Sequence, residues 1–255
     1  RRRLIFIIDG AQKFLISHRP KKKAANMLAE MIEDTTKPVV IILAGGNGSR
    51  LQPWVAPKCL MPINGIPILG RLLSQLENHG IENVILCTGY RSRDIHEFIL
   101  QRRTRLLRVA FSDAGENVAM GARLLKARGL IDEKRQVIVC YGDELATVDI
   151  SELLNAHQEY DMTFCGAKAK IPGGTIHFHN GRSIARIIEA EQHYINIGFV
   201  VAEQNCWKDL DADAGLSEWV NKCIQNKKVK IFEHLGARAT INTLNDLAYA
   251  ESLFV

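Results

Sequence analysis

From Val39 onward, short apolar runs of strand length alternate with longer segments whose apolar residues recur at helical spacing. That alternation is the pattern of a sheet built from crossover units. Strands are expected over 39–43, 84–88, 106–111, 137–141, 162–167, 175–178, 195–201 and 229–233. Helices are expected near 68–78, 93–101, 118–127, 150–159, 217–226 and 244–253. The first half alternates regularly, whereas 162–201 packs several strands together with little helix between them, so the fold class is α/β with a mixed, mainly parallel sheet flanked by helices. Residues 1–37 differ in character, with an apolar stretch at 4–8, a basic run at 21–23 and a helical-looking 24–32. They read as an N-terminal extension of unassigned role ahead of a main domain over 38–255. No internal repeat or low-complexity tract interrupts the pattern.

Composition narrows the class. With 255 residues, 47% hydrophobic and 24% charged, the chain is long enough to bury a full core and is not of disordered type. The net charge of +5 is a modest excess, and its short basic runs at 1–3, 21–23 and 102–105 are not interleaved with aromatics. That pattern favours a solvated surface over a nucleic-acid groove and suits small phosphorylated ligands better. The six cysteines are widely spaced with no two-residue gap, as expected of reduced, mostly buried thiols in a cytoplasmic protein. The apolar start ends at Asp9, too short for a signal core or a membrane span.

Directly after the first regular strand stand Leu43, Ala44, Gly45, Gly46, Asn47, Gly48, Ser49 and Arg50. Three glycines in four residues let the backbone turn back and approach phosphate oxygens, and Arg50 adds a cationic fork. The loop lacks the Lys-Ser/Thr ending of a Walker loop, and its glycine spacing is not the dinucleotide fingerprint. A plain tight turn is the alternative. Lys58 follows at short range between Pro57 and Pro62, whose rings stiffen the backbone and fix where the ammonium points, as a point charge on a transferring phosphoryl group requires.

Further on, the apolar run 137–140 leads into Tyr141, Gly142, Asp143 and Glu144. An acidic residue at the carboxyl end of a strand sits where α/β folds bind ligands, and Mg²⁺ favours carboxylate oxygen. Asp143 is the first metal-ligand candidate, with an ordinary turn-forming aspartate as the alternative. His177 and His179 alternate on one strand, but no third ligand is near in the sequence, which favours plain strand histidines over zinc.

Taken together, the Leu43–Leu51 loop, the Lys58 segment with its later Asn64-Gly65 turn, and Gly142-Asp143 resemble the sugar-1-phosphate nucleotidyltransferase family. The resemblance runs through to the last helix. It implies a Rossmann-like nucleotide-diphospho-sugar transferase fold, with a nucleoside triphosphate and a phosphorylated sugar as partners and Mg²⁺ as cofactor. It further implies Arg50, Lys58 and Asp143 as catalytic residues, the loop from Leu43 to Ser49 with Glu116 and Gly121 around the nucleotide, and Tyr141, Gly142, Glu189, Asn196 and Gly198 around the acceptor. Asn242 falls on the second metal position, although Asn242 or Thr243 as a helix cap is the alternative. Ala190 stands where the family carries an acceptor-binding lysine, with Arg182 or Arg186 as substitutes. The segment 116–123 and the Cys87–Tyr90 turn resemble glucose-1-phosphate cytidylyltransferases, favouring CTP, while 61–65 is equally similar to heptose-phosphate guanylyltransferases. A phospho-alcohol cytidylyltransferase and a subunit that binds nucleotide sugar without catalysis are the remaining alternatives, and the sequence leaves a homo-oligomer open.

Overall fold

The computed structural model describes residues 37–46, 54, 56–102, 107–169 and 193–255 in full, and the backbone alone of 5–9, 12–16, 170, 175–179, 183–188 and 192. In chain order the strands of the main sheet are β1 (Ile5–Asp9), β2 (Gln12–Ile16), β3 (Val39–Leu43), β6 (Asn83–Thr88), β7 (Arg108–Asp113), β8 (Val137–Tyr141), β10 (Met162–Lys170), β13 (Gln192–Ala202) and β14 (Val229–Glu233). Three short ladders accompany it among the described residues: β4 (Pro62–Ile63) with β5 (Ile66–Pro67), β9 (Glu144–Ala146) with β15 (Arg238–Thr240), and β11 (Thr175–His179) with β12 (Ser183–Ile188). The helices among the described residues are α1 (Ile68–Asn78), α2 (Ser92–Gln101), α3 (Met120–Arg128), α4 (Ile150–His157), α5 (Gln204–Trp207), α6 (Leu216–Asn226) and α7 (Leu244–Leu253), with a 3-10 turn at Lys58–Leu60.

Among the described residues the main sheet runs β14-β10-β13-β8-β3-β6-β7-β1-β2. From β14 to β7 only β13 is antiparallel to its neighbours, which is the expected mixed, mainly parallel α/β sheet. Strands β1 and β2 continue it beyond β7, β1 pairing antiparallel through Ile7 with Ala110 and Ile8 with Val109.

The continuous apolar sequence of β3 follows from its place in the middle of the sheet, where both faces are covered. Val40 and Ile42 enter one core with Leu69, Leu72, Leu73 and Leu76 of α1, Ile95 and Ile99 of α2, and Leu153 of α4. Val39 and Ile41 enter the opposite core with Leu124 and Ala127 of α3, Trp207 of α5, and Trp219 and Cys223 of α6. All six cysteines are free and buried. No described helix is long and apolar enough to cross a membrane.

The chain leaves β3 toward β6 and β7 on one side and returns to β8 on the other, so the strand order reverses between β3 and β8. Leu43 and Tyr141 pair at the carboxyl ends of these two strands. In open α/β sheets that crevice is where ligands bind.

Candidate active site

A cleft of about 450 Å³ opens at this switch point, lined by Leu43, Ala44, Gly45 and Gly46 after β3, Tyr141, Gly142 and Asp143 after β8, Lys58, Tyr90 and the 116–118 segment, with Arg123 at its back. Gly142 is what allows the two strand ends to meet: its N–H donates to Leu43 O at 3.0 Å, and a Cβ there would lie 2.7 Å from that oxygen.

Lys58 enters from the 3-10 turn, held by bonds from Leu60 N to Pro57 O and Met61 N to Lys58 O. Its buried neighbour Cys59 packs against Ala44, so turn and glycine loop are fixed to one another. The Lys58 side chain is 10% exposed and that of Asp143 37%. Lys58 Nζ donates to Asp143 Oδ2 at 2.6 Å and to Asn242 Oδ1 at 2.9 Å. Residues separated by 85 and 184 positions therefore meet at one cation.

Asn242 reaches this point by way of a third, smaller core. Met61, Ile63, Ile68, Leu145, Ala239, Ile241 and Ala250 pack together under α7 and seat the β9–β15 ladder, in which Thr240 pairs with Glu144. Ile241 N then bonds Asp143 O at 3.3 Å. Helix α7 is capped by Thr243, whose Oγ1 accepts from Asp246 N, while Asp246 Oδ2 accepts from the backbone N–H of both Asn242 and Thr243. Capping thus falls to Thr243 and Asp246, leaving the Asn242 amide oxygen on the Lys58 ammonium.

Glu144 lies behind Asp143. Burial pushes its carboxyl up to about 7, against the bond from Thr240 and with the Asp143 charge adding to the rise. Thr240 Oγ1 sits 2.7 Å from both of its oxygens. Burial likewise pushes the Tyr141 phenol up to about 12, with Asp143 contributing, so Tyr141 is a hydroxyl donor at neutral pH.

Arg123 closes the 116–123 segment named from the sequence, and in the structure it organises one wall. Nearly buried at 7% exposure, it donates Nη1 to Thr88 O at 2.9 Å, Nη2 to Glu116 O at 2.7 Å and Nε to Val118 O at 3.0 Å. It ties the 116–118 segment to the end of β6. Gly45 and Gly89 leave room for it, since a Cβ at either would stand within 2.4 Å of Nη1. A signal was present: positions 120, 123, 124 and 127 share one helical face, and an arginine on an apolar face requires partners.

Of the residues named from the sequence, Leu43, Ala44, Gly45, Gly46, Lys58, Glu116, Tyr141, Gly142 and Asp143 line the cleft. Gly121 does not. Its N–H donates to Ala214 O, and a Cβ there would meet Asp211 O at 2.0 Å, so it seats the start of α3 under the 211–214 loop. Asn196 and Gly198 stand beside the cleft: Asn196 Oδ1 accepts from Gly198 N at 2.7 Å, Asn196 also bonds Tyr141, and Gly198, at φ +76°, abuts Tyr141 and Glu144. Asn47, Gly48, Ser49, Arg50, Arg182, Glu189 and Ala190 lie outside the described residues, as do the side chains of Arg186, His177 and His179. Arg102, from one basic run, bonds Ser74 and Glu77 within the fold.

Asp143 and Asn242 fit a hard divalent ion. Their two oxygens already converge on one cation, and a carboxylate with an amide oxygen beside an open cleft suits Mg²⁺, which keeps several waters and takes phosphate oxygens. No group of three or more His, Cys, Asp or Glu forms a protein-only metal cage among the described residues.

Gly45 and Gly46, a buried lysine and a carboxylate at the switch point of a mainly parallel sheet form a cleft where α/β folds bind ligands. The family follows from direct comparison: residues 40–221 match the MobA-like NTP transferase domain, and the chain belongs to that family. It is 27% identical over 245 residues to the glucose-1-phosphate cytidylyltransferase of Salmonella typhimurium, spanning 84% of this chain and 95% of that one. Over 127 residues, 48% of this chain and 54% of the relative, it is 34% identical to the D-glycero-alpha-D-manno-heptose 1-phosphate guanylyltransferase of Aneurinibacillus thermoaerophilus. The crystal structure of HddC from Yersinia pseudotuberculosis complexed with GMP-PN superposes with a TM-score of 0.68 at 22% identity, covering 85% of this chain and 99% of that one. The homologues are sugar-phosphate nucleotidyltransferases.

Proposed function

We propose that this protein transfers a nucleoside monophosphate from a nucleoside triphosphate to a sugar 1-phosphate, releasing pyrophosphate. The convergence of Lys58, Asp143 and Asn242 at the mouth of a glycine-walled cleft carries this reading. An acceptor phosphate is already ionised at neutral pH, so its oxygen attacks the α-phosphorus without a strong general base, and catalysis reduces to positioning and charge neutralisation. Gly45 and Gly46 let the triphosphate approach the backbone closely. Lys58 neutralises charge at the α-phosphate, and the Asp143 and Asn242 oxygens would hold Mg²⁺. That ion would supply further charge neutralisation on the reacting phosphates. Tyr141, Asn196 and Gly198 form the wall nearest the acceptor, with Glu189 assigned to the sugar by its motif. Arg50 is assigned to the β- and γ-phosphates on the same basis.

CTP is the favoured donor, supported by similarity to the Salmonella cytidylyltransferase along nearly the whole length of both chains. GTP is the second reading, supported by the 34% identity to the heptose-phosphate guanylyltransferase. Pyrophosphate release measured over four nucleoside triphosphates and a panel of sugar 1-phosphates tests both. Release above background with one sugar phosphate and CTP supports the proposal, and GTP in its place selects the second reading. Turnover confined to phospho-alcohols, or binding of nucleotide sugar with no release on any pair, overturns it.

A further inference from the structure

Lys58 and the divalent ion lay claim to the same two oxygens. The ammonium lies 2.6 Å from Asp143 Oδ2 and 2.9 Å from Asn242 Oδ1, which is the position of a cation bridging that pair. Mg²⁺ binds oxygen at roughly 2.0–2.1 Å, so an ion sharing those ligands would stand in contact with the ammonium. Two like charges at that distance in a partly buried site repel strongly. The pair carries one negative charge, on Asp143, because Asn242 brings none. The ammonium offsets that charge and occupies both oxygens, while the carboxyls of Glu144 and Asp246 lie within electrostatic reach of it without bonding it. Lys58 is also well placed to leave: it lines the cleft in which a triphosphate would lie.

Resting on the nucleotidyl-transfer reading, we infer that Lys58 is a resident counter-ion that excludes metal from Asp143 and Asn242 in the free protein, and that an incoming triphosphate draws it away and so admits the ion. The free protein then binds divalent metal weakly, and metal and nucleotide bind with strong mutual dependence. A lysine does this where an arginine would not, because its compact charge on a flexible stem moves between a carboxylate and a phosphate without needing a planar partner.

The test is Mn²⁺ affinity, read by electron paramagnetic resonance of the free ion in the absence of nucleotide, for the wild type, Lys58→Met and Lys58→Gln. The expected result is Mn²⁺ binding at least about tenfold tighter in the substituted proteins, lost again when Asp143→Asn is added. Equal or weaker binding in a cooperatively melting variant overturns the inference. A second readout needs no substitution: acylation of Lys58 in the wild type, followed by mass spectrometry, should accelerate when Mn²⁺ saturates the site. An unchanged acylation rate at saturation also overturns the inference. The two levels separate cleanly. Pyrophosphate release by the wild type with unchanged Mn²⁺ affinity in the variants removes the counter-ion role alone. Absence of release on every substrate pair removes the functional reading, whatever Mn²⁺ does.

Discussion

Replacing Gly45 by alanine and, separately, Gly46 by alanine perturbs two adjacent glycines of one loop with opposite expected outcomes. At Gly45 a Cβ would fall 2.2 Å from Arg123 Nη1, 2.9 Å from Arg123 Cζ and 3.2 Å from the Thr88 carbonyl carbon. The first two contacts are with a side chain, so the guanidinium must move, and it is far from free to do so. Three hydrogen bonds to Thr88 O, Glu116 O and Val118 O hold it, in a site that is almost closed to water. Hydrogen bonds to charged groups each contribute about 1.5–3 kcal/mol. Losing one or two of the three, with partial relaxation, therefore costs on the order of 2–4 kcal/mol. At Gly46 nothing lies within 4 Å of the built Cβ and the residue is exposed, so the change should stay within about 0.5 kcal/mol. Urea denaturation of the two variants beside the wild type, with a common slope, measures both numbers. Because Arg123 anchors the 116–118 wall, Gly45→Ala should also raise the KM for the nucleoside triphosphate. Equal stability of the two variants would refute the view of Arg123 as a fixed structural centre.

Three further expectations concern stability. Thr240→Val removes the hydroxyl that donates to Glu144, leaving a buried carboxylate short of a donor, and should cost about 1–3 kcal/mol in chemical denaturation. Leu72→Ala empties space in a core where the side chain is 1% exposed, and the midpoint of urea unfolding should fall by an amount equivalent to about 2–5 kcal/mol. His96 is held below its ordinary range, chiefly by burial, with Asp113 opposing, while its ring packs edge-on against Phe111. The unfolded chain takes up a proton there before the native one does, so this histidine makes the protein lose stability as pH falls from about 6.5. His96→Leu should flatten that acid-side decline in thermal melts from pH 7 to 5, and an unaltered slope relative to the wild type would remove His96 as its cause.

Much of the architecture was legible because it is written locally. Strand β3 reads as a continuous apolar run since both its faces are covered, and α1 is marked by Pro67 before it and by apolar residues at helical spacing along it. The strand expected at 106–111 lies instead at 108–113, because its register is set by pairing Asn83 with Arg108 and Thr88 with Asp113, not by its own hydrophobicity. Strands β9 and β15, three residues each, carry too few positions to show any period, and β12 was likewise missed. Yet the β9–β15 ladder is what brings Asn242 to Lys58. Lys58 and Asp143 could be named from the sequence because their chemistry is tied to short motifs. The tasks of Arg123 and of the Glu144–Thr240 pair could not, since they exist only through contacts between residues 35 and 96 positions apart.

The most direct measurement is the turnover number of Lys58→Ala, assayed by pyrophosphate release with the best nucleotide and sugar-phosphate pair and saturating Mg²⁺, on protein shown to melt cooperatively. Loss of a donor that stabilises the transition state should lower kcat by roughly 10²-fold or more. Turnover equal to that of the wild type would contradict the assignment of catalysis to the Lys58–Asp143–Asn242 cluster.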